Sequence, residues 1–158
     1  MSLQKAQPSQ TQLNRVLAPD SIAIVGASND PTKRGYKAMM GLMEGGYEGK
    51  IYPINPKADQ ILGRKAYGSV SSVPSGVDMA LICTPAKTIP SLIKQCGDVG
   101  VQGSIILASG FGEVDEAGAE LEQQVLDAAI LAGVRIIGPN TSGLFNLHKK
   151  VNLLALDN

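Results

Sequence analysis

IVGASNDPTKRG, residues 24–35, decides how the rest of the chain is read. An apolar run enters Gly26, small residues follow, and a helical pattern opens near Lys33, Arg34 and Gly35. A strand that passes through a small-residue turn into a helix leaves free backbone amides at the helix start, and these attract phosphate groups. The three-glycine spacing of a dinucleotide-binding loop is missing. The stretch therefore predicts a strand–turn–helix unit facing a phosphate-bearing ligand of another kind.

Working outward, four more apolar segments of strand length follow the one at Ile22: KIYPIN from Lys50, DMALICT from Asp78, GSIILAS from Gly103 and VRIIGP from Val134. Several are apolar at consecutive positions, as expected where both faces of a parallel sheet are covered. Helical stripes lie between them: Tyr36, Met39, Met40 and Met43; then Ile89, Leu92, Ile93 and Cys96; then Leu121, Val125, Ala128, Ala129 and Ala132. Gly45, Gly46, Gly97 and Gly133 stand where these helices should stop. Strand and helix alternating at this pitch predict a Rossmann-like, doubly wound α/β domain. Its mostly parallel sheet would have five or more strands, with helices on both faces. Residues 57–76 lack a long amphipathic stripe and read as turns, a short strand and a helical turn. Residues 140–156 read as one or two further short strands.

At 158 residues the chain is about one domain, long enough to bury a core. Residues 1–12 are polar and read as a disordered N-terminal segment, 13–150 as the domain, and 151–158 as the start of a linker. The apolar-rich end without a closing element suggests further protein downstream. Fourteen basic side chains balance fourteen acidic ones, which leaves no global field for nucleic acid or an anionic membrane. Cys83 and Cys96 fall in apolar segments and read as reduced core thiols of a cytoplasmic protein. No run approaches the roughly 20 apolar residues of a membrane span. No Cys, His, Asp and Glu cluster has metal-ligand spacing.

In an open α/β sheet, ligands bind beyond the carboxyl ends of the strands. The first strand is followed by Gly26, Ala27 and Ser28, the second by Asn55, Pro56 and Lys57, and the third by Thr84, Pro85 and Ala86. The fourth is followed by Ser109, Gly110 and Phe111, and the fifth by a tight polar turn that contains Asn140. An NAD site would carry an acid after the second strand to hold the ribose hydroxyls. Here a proline and a cation stand instead, with Asp59 two residues further on, which suits a phosphate on the ribose better. Glu113, Asp115 and Glu116 read as acids favouring a helix N-terminus. Ser109 is not in a nucleophile elbow, and the single histidine, His148, reads as a surface residue beside Lys149 and Lys150. Both observations argue against Ser-His hydrolysis.

Taken together, SIAIVGASNDPTKRG, IYPINPKADQILGRKAYGSV, DMALICTPA, ILASGFGE and GVRIIGPNTSGLFN resemble the CoA-binding domain of NDP-forming acyl-CoA synthetases. The α subunit of succinyl-CoA synthetase is a more distant relative. The match runs from about Leu13 to about Lys150, in order at every strand end, and YPINPK together with GPNTSG is its most specific part.

The resemblance implies that Gly26, Ala27 and Ser28 meet the diphosphate of coenzyme A. It further implies that Lys57 pairs with a CoA phosphate, with Asn55 and Pro56 shaping its approach. Thr84, Pro85 and Ala86 would line the nucleotide and pantetheine path, Ser109, Gly110 and Phe111 would flank the thiol, and Asn140 would close the site near the acyl group. Thr141, where the family often has Cys or Ser, is given no role.

The implied reaction interconverts acyl-CoA, phosphate and ADP or GDP with acid, CoA and the nucleoside triphosphate. Its phosphohistidine and nucleotide-grasp domains, with ATP or ADP and Mg, would lie downstream. The expected partners are thus CoA or acyl-CoA and those domains, with neither nucleic acid nor membrane, and with assembly into a homo-oligomer left open. No catalytic residue and no metal site is expected in this chain. Alternative readings are the CoA-sensing domain of a protein lysine acetyltransferase, a stand-alone CoA-binding protein and, last, an NAD(P)-binding oxidoreductase domain.

Overall fold

The computed structural model describes residues 10–74 and 76–155. Five strands form one parallel sheet: β1 (Ser21–Val25), β2 (Lys50–Ile54), β5 (Met79–Ile82), β6 (Gly103–Ile106) and β7 (Arg135–Ile137). Their order across the sheet is β2-β1-β5-β6-β7. Around them stand α1 (Gln10–Leu17), α2 (Arg34–Glu44), α3 (Ile89–Asp98) and α4 (Glu116–Ala132). The crossover from β2 to β5 holds a hairpin of β3 (Gln60–Ile61) and β4 (Arg64–Lys65), then a 3-10 turn over Val70–Ser72. A second hairpin, β8 (Phe145–Asn146) and β9 (Val151–Asn152), follows β7. The expected α/β architecture is therefore the observed one.

Strand alternation builds two cores. Ala23, Val25, Tyr52, Ile54, Ala80, Ile82 and Ile106 pack under α3 and α4. Ile22, Ile24, Ile51, Met79, Leu81 and Ile105 pack under α2 and residues 151–155. With both faces covered, consecutive strand residues are apolar.

At the amino edge, Asp78 ties β5 to β1. Its Oδ2 accepts from the backbone N–H groups of Asp20 (2.9 Å) and Ser21 (3.1 Å), and the Ser21 hydroxyl accepts from the Asp78 N–H. The opposite, carboxyl edge is where these strands run into their loops. It carries the topological switch point, where the chain leaves β1 toward one face and β5 toward the other.

Four readings differ from the structure. The face of α2 that meets the sheet is Gly35, Ala38, Met39 and Leu42, whereas Met43 is exposed. Small residues let this helix lie close: a methyl on Gly35 would overlap the Gly26 carbonyl oxygen. Gly97 lies inside α3 and does not end it. A Cβ there would stand 2.5 Å from the Ala132 Cβ, so the glycine serves the contact between α3 and α4. At the start of the domain, Gln10, Thr11 and Gln12 are helical and not disordered; residues 1–9 lie outside the described part. At its end, Val151 and Leu153 are fully buried, so this segment is core and not linker.

Candidate functional site at the carboxyl edge of the sheet

The five expected loops stand in a row that follows the sheet order. Lys57 and its neighbours follow β2, Gly26 follows β1, Thr84 follows β5, Ser109 follows β6 and Asn140 follows β7. Four interstrand spacings, roughly 19 Å, separate the two ends of this row. Each loop touches the next. The Asn55 side-chain amide donates to the Ala27 carbonyl (2.8 Å), joining the loops after β2 and β1. A Cβ on Gly26 would lie 3.1 Å from Thr84 Cγ2, so the absence of a side chain lets the loops after β1 and β5 approach without crowding. The Gly26 φ of +86° also requires glycine. Ala86 faces Gly110, and the Asn140 N–H donates to the Ala108 carbonyl (3.0 Å).

Within this row the residues do different work. Asn55 Oδ1 accepts the backbone N–H of Lys57 (2.9 Å), a local turn that fixes how the chain leaves β2. Lys57 and Pro56 are exposed, and among the described residues no carboxylate pairs with the Lys57 ammonium. The Ser28 hydroxyl accepts from the Asp30 N–H. Thr84 and Thr88 share a hydrogen bond between their hydroxyls (2.8 Å), and Pro85 opens the 3-10 turn Ala86–Thr88. Ser109 is exposed. Asn140 takes a left-handed φ of +52°, which asparagine tolerates, and follows a cis Gly138-Pro139 bond.

Phe111 departs from the expected set. Its ring is fully buried in the core beneath α3 and α4, so only its backbone borders the edge. The turn before it runs through Gly110 at φ +100°.

Three residues at this edge have roles that the sequence reading did not assign them. Asn29 donates to the Gln60 carbonyl (3.1 Å) and accepts from the Leu62 N–H (2.8 Å), binding the β1 loop to the β3–β4 hairpin. Glu113 does not serve the helix, whose cap is Asp115 accepting from the Gly118 N–H. Instead it accepts from the N–H groups of Gly110 (2.6 Å) and Phe111 (3.1 Å). Those contacts, the one from Gly110 foremost, hold its carboxyl below the usual glutamate range. Arg34, the first residue of α2, sends its guanidinium to the Leu107 carbonyl at the end of β6 (2.5 Å). A cation in the first turn of a helix opposes the macrodipole, and that signal was available in the sequence. Cys83, at the end of β5, is held up at about 12 by burial, with the nearby Arg34 charge acting the other way.

A cavity of about 470 Å³ lies beyond edge strand β7, lined by α4 residues such as Glu122 and Leu126 together with Ile136, Gly138 and Pro139. None of the thirteen expected residues borders it.

A row of small loops with a free cation at one end suits an elongated phosphate-bearing ligand. Sequence comparison agrees: the family model described as "CoA binding domain" matches residues 20–146. The chain belongs to the CoA-binding domain family. This CoA-binding domain is 45% identical over 134 residues to the ADP-forming acetate–CoA ligase II of Archaeoglobus fulgidus. That match covers 85% of the chain and 20% of the ligase. Against the α subunit of ADP-forming acetate–CoA ligase I from Pyrococcus furiosus it is 46% identical, over 89% of the chain and 31% of the subunit. Among solved structures, acetyl-coenzyme A synthetase 1 of Ca. Korarchaeum cryptofilum, in complex with phosphate and ADP, superposes with a TM-score of 0.87. It is 40% identical, over 90% of this chain and 30% of that one. The domain thus spans between a fifth and a third of these relatives.

Proposed function

We propose that this domain lays coenzyme A along the carboxyl edge of its sheet and holds the thiol for attack on an acyl phosphate, as the CoA-holding part of an NDP-forming acyl-CoA synthetase. The observation that carries the reading is the order of the loops. Lys57 stands at one end, the glycine turn comes next, and Ser109, Gly110 and Asn140 stand at the other, with no acid at the end of β2 to hold a free ribose. In this arrangement Lys57 meets the ribose phosphate, Gly26, Ala27 and Ser28 meet the diphosphate, and Thr84, Pro85 and Ala86 border the pantetheine arm. The thiol reaches Ser109, Gly110 and the Phe111 backbone, and Asn140 adjoins the acyl group. ADP-forming ligases among the relatives support the ligase assignment. The phosphohistidine, the nucleotide site and magnesium belong to domains outside this chain.

The domain contributes binding and orientation. Holding a thiol in line with an acyl phosphate makes the acyl transfer effectively unimolecular, without any reacting group of its own. Calorimetry with CoA, dephospho-CoA and NAD tests the reading. CoA should bind tightest, and dephospho-CoA should bind more weakly by the worth of one phosphate contact. NAD binding as tight as CoA would reject it.

A further inference from the structure

Lys57 is not the only cation at the carboxyl edge. Arg34 begins α2 beside the Gly26 turn, and its guanidinium crosses to the Leu107 carbonyl at the end of β6. Its charge is felt by the Cys83 thiol at the end of β5. The guanidinium therefore lies across the switch point, over the ends of the central strands. Those ends carry Gly26, Ala27, Cys83, Thr84, Leu107 and Ala108, none of them acidic. Among the described residues no carboxylate pairs with Arg34, and one backbone carbonyl is its only hydrogen-bond acceptor.

An arginine carries five N–H donors in a planar fork, so its other donors stay open to a phosphoryl oxygen pair while the carbonyl fixes the plane. Lys57 follows β2, and the Arg34 guanidinium lies over β5 and β6. The strands β2 and β5 are two spacings apart, roughly 10 Å. The two cations consequently address different phosphate groups of one elongated ligand.

We infer that Arg34 is a second phosphate anchor, taking the diphosphate of a coenzyme A-type nucleotide while Lys57 takes the ribose phosphate. This rests on the CoA reading above. It assigns the diphosphate a side-chain anchor in addition to the backbone of the glycine turn, and it adds a residue that the family resemblance did not supply.

Arg34→Gln and Arg34→Lys together separate a binding role from a bracing one: glutamine loses the charge and is too short to reach the Leu107 carbonyl, lysine keeps a long cationic donor, and the melting temperature of each reports any lost brace. Titrations of the isolated domain with CoA and dephospho-CoA, at low and moderate salt, read the effect. R34Q should weaken both ligands about tenfold or more, since a charge-assisted phosphate contact is lost from each. It should also flatten the salt dependence of dephospho-CoA binding. R34K should recover part of the loss, and the melting temperature should stay near wild type. Lys57→Ala should weaken only CoA. R34Q binding dephospho-CoA as wild type does at low salt would overturn the inference, as would a loss of affinity with unchanged salt dependence. A wild-type domain that binds no CoA would instead overturn the CoA reading itself, so the two failures are distinguishable.

Discussion

Replacing Lys57 by alanine removes an exposed ammonium that no described carboxylate holds. The fold should not change, and the melting temperature should match wild type. CoA binding should fall, because a charged hydrogen bond to phosphate is worth about 1.5–3 kcal/mol, or roughly tenfold to a hundredfold in affinity. Calorimetry at two salt concentrations reads both the loss and its reduced salt sensitivity.

Glu113 gives a second test at the same scale. Its folded-state carboxyl is depressed by the N–H groups it accepts from, so its contribution to order in the β6–α4 loop is complete above the ordinary glutamate value. That contribution is lost as pH falls through the lower, folded one. In a proton–nitrogen NMR titration, the amide signals of Gly110 and Phe111 should shift with a midpoint below that of a free glutamate. Glu113→Gln should abolish that titration. A midpoint at the free value would mean that the contacts do not persist in solution.

Among the elements, α3 and α4 meet at a glycine that leaves little room for a methyl. Gly97→Ala raises intrinsic helix propensity by about 1 kcal/mol. It also sets a Cβ against the Ala132 Cβ, with the Ala132 carbonyl oxygen 2.9 Å away. Backbone cannot swing aside as a flexible side chain can, and overpacking of this kind costs roughly 1–3 kcal/mol. The variant should melt lower than wild type, and Ala132→Gly in the same chain should restore part of the loss. A higher melting temperature for Gly97→Ala alone would show that the helices separate freely.

The five strands were legible because burial on both faces makes them continuously apolar. The loops were legible because a strand end is a position and not a contact. The stripe on α2 was right at Met39 but misplaced at Met43, because hydrophobic size marked the methionines while the sheet also takes the small residues Gly35 and Ala38. Phe111 was misread because whether a loop aromatic turns inward is a matter of tertiary packing, here in the core beneath α3 and α4. The reach of Arg34 to Leu107 spans 73 residues of chain and has no local pattern, so only its charge at a helix start hinted at it.

Over the whole molecule, the two edges of the sheet are chemically unlike. His148 sits in the turn between β8 and β9. On either side of that turn, Asn146 donates to the Leu17 carbonyl, Lys149 pairs with Asp20 (3.3 Å) and Lys150 pairs with Glu48 (2.7 Å). All three partners precede strands, so the turn lies at the amino edge. A five-residue strand, roughly 15 Å, separates it from the loops that follow β1 and β5. Incubating the isolated domain with γ-labelled ATP or GTP, acid, CoA and magnesium should therefore give neither acyl-CoA nor a labelled protein. A labelled band would place a phosphoryl relay inside this chain, and His148→Ala would show whether that histidine carries it.

The buried stretch after β9 has a consequence for how ligand occupancy can be observed from afar. The Leu153 N–H donates to the Leu144 carbonyl (2.9 Å), and the Ala155 N–H donates to the Ser142 carbonyl (3.2 Å). Ser142 and Leu144 belong to the turn that begins with Asn140, while Leu153 and Ala155 lie among apolar side chains on the face shared with α2. An amide exchanges with solvent only when its local bond opens, and ordering of the acceptor slows that opening. CoA held against the Asn140 turn should thus lengthen the exchange lifetimes of Leu153 and Ala155, two amides outside the row of loops that would hold it. Hydrogen–deuterium exchange with and without CoA reads this directly: unchanged lifetimes at both positions would mean that the ligand leaves the turn as loose as it finds it.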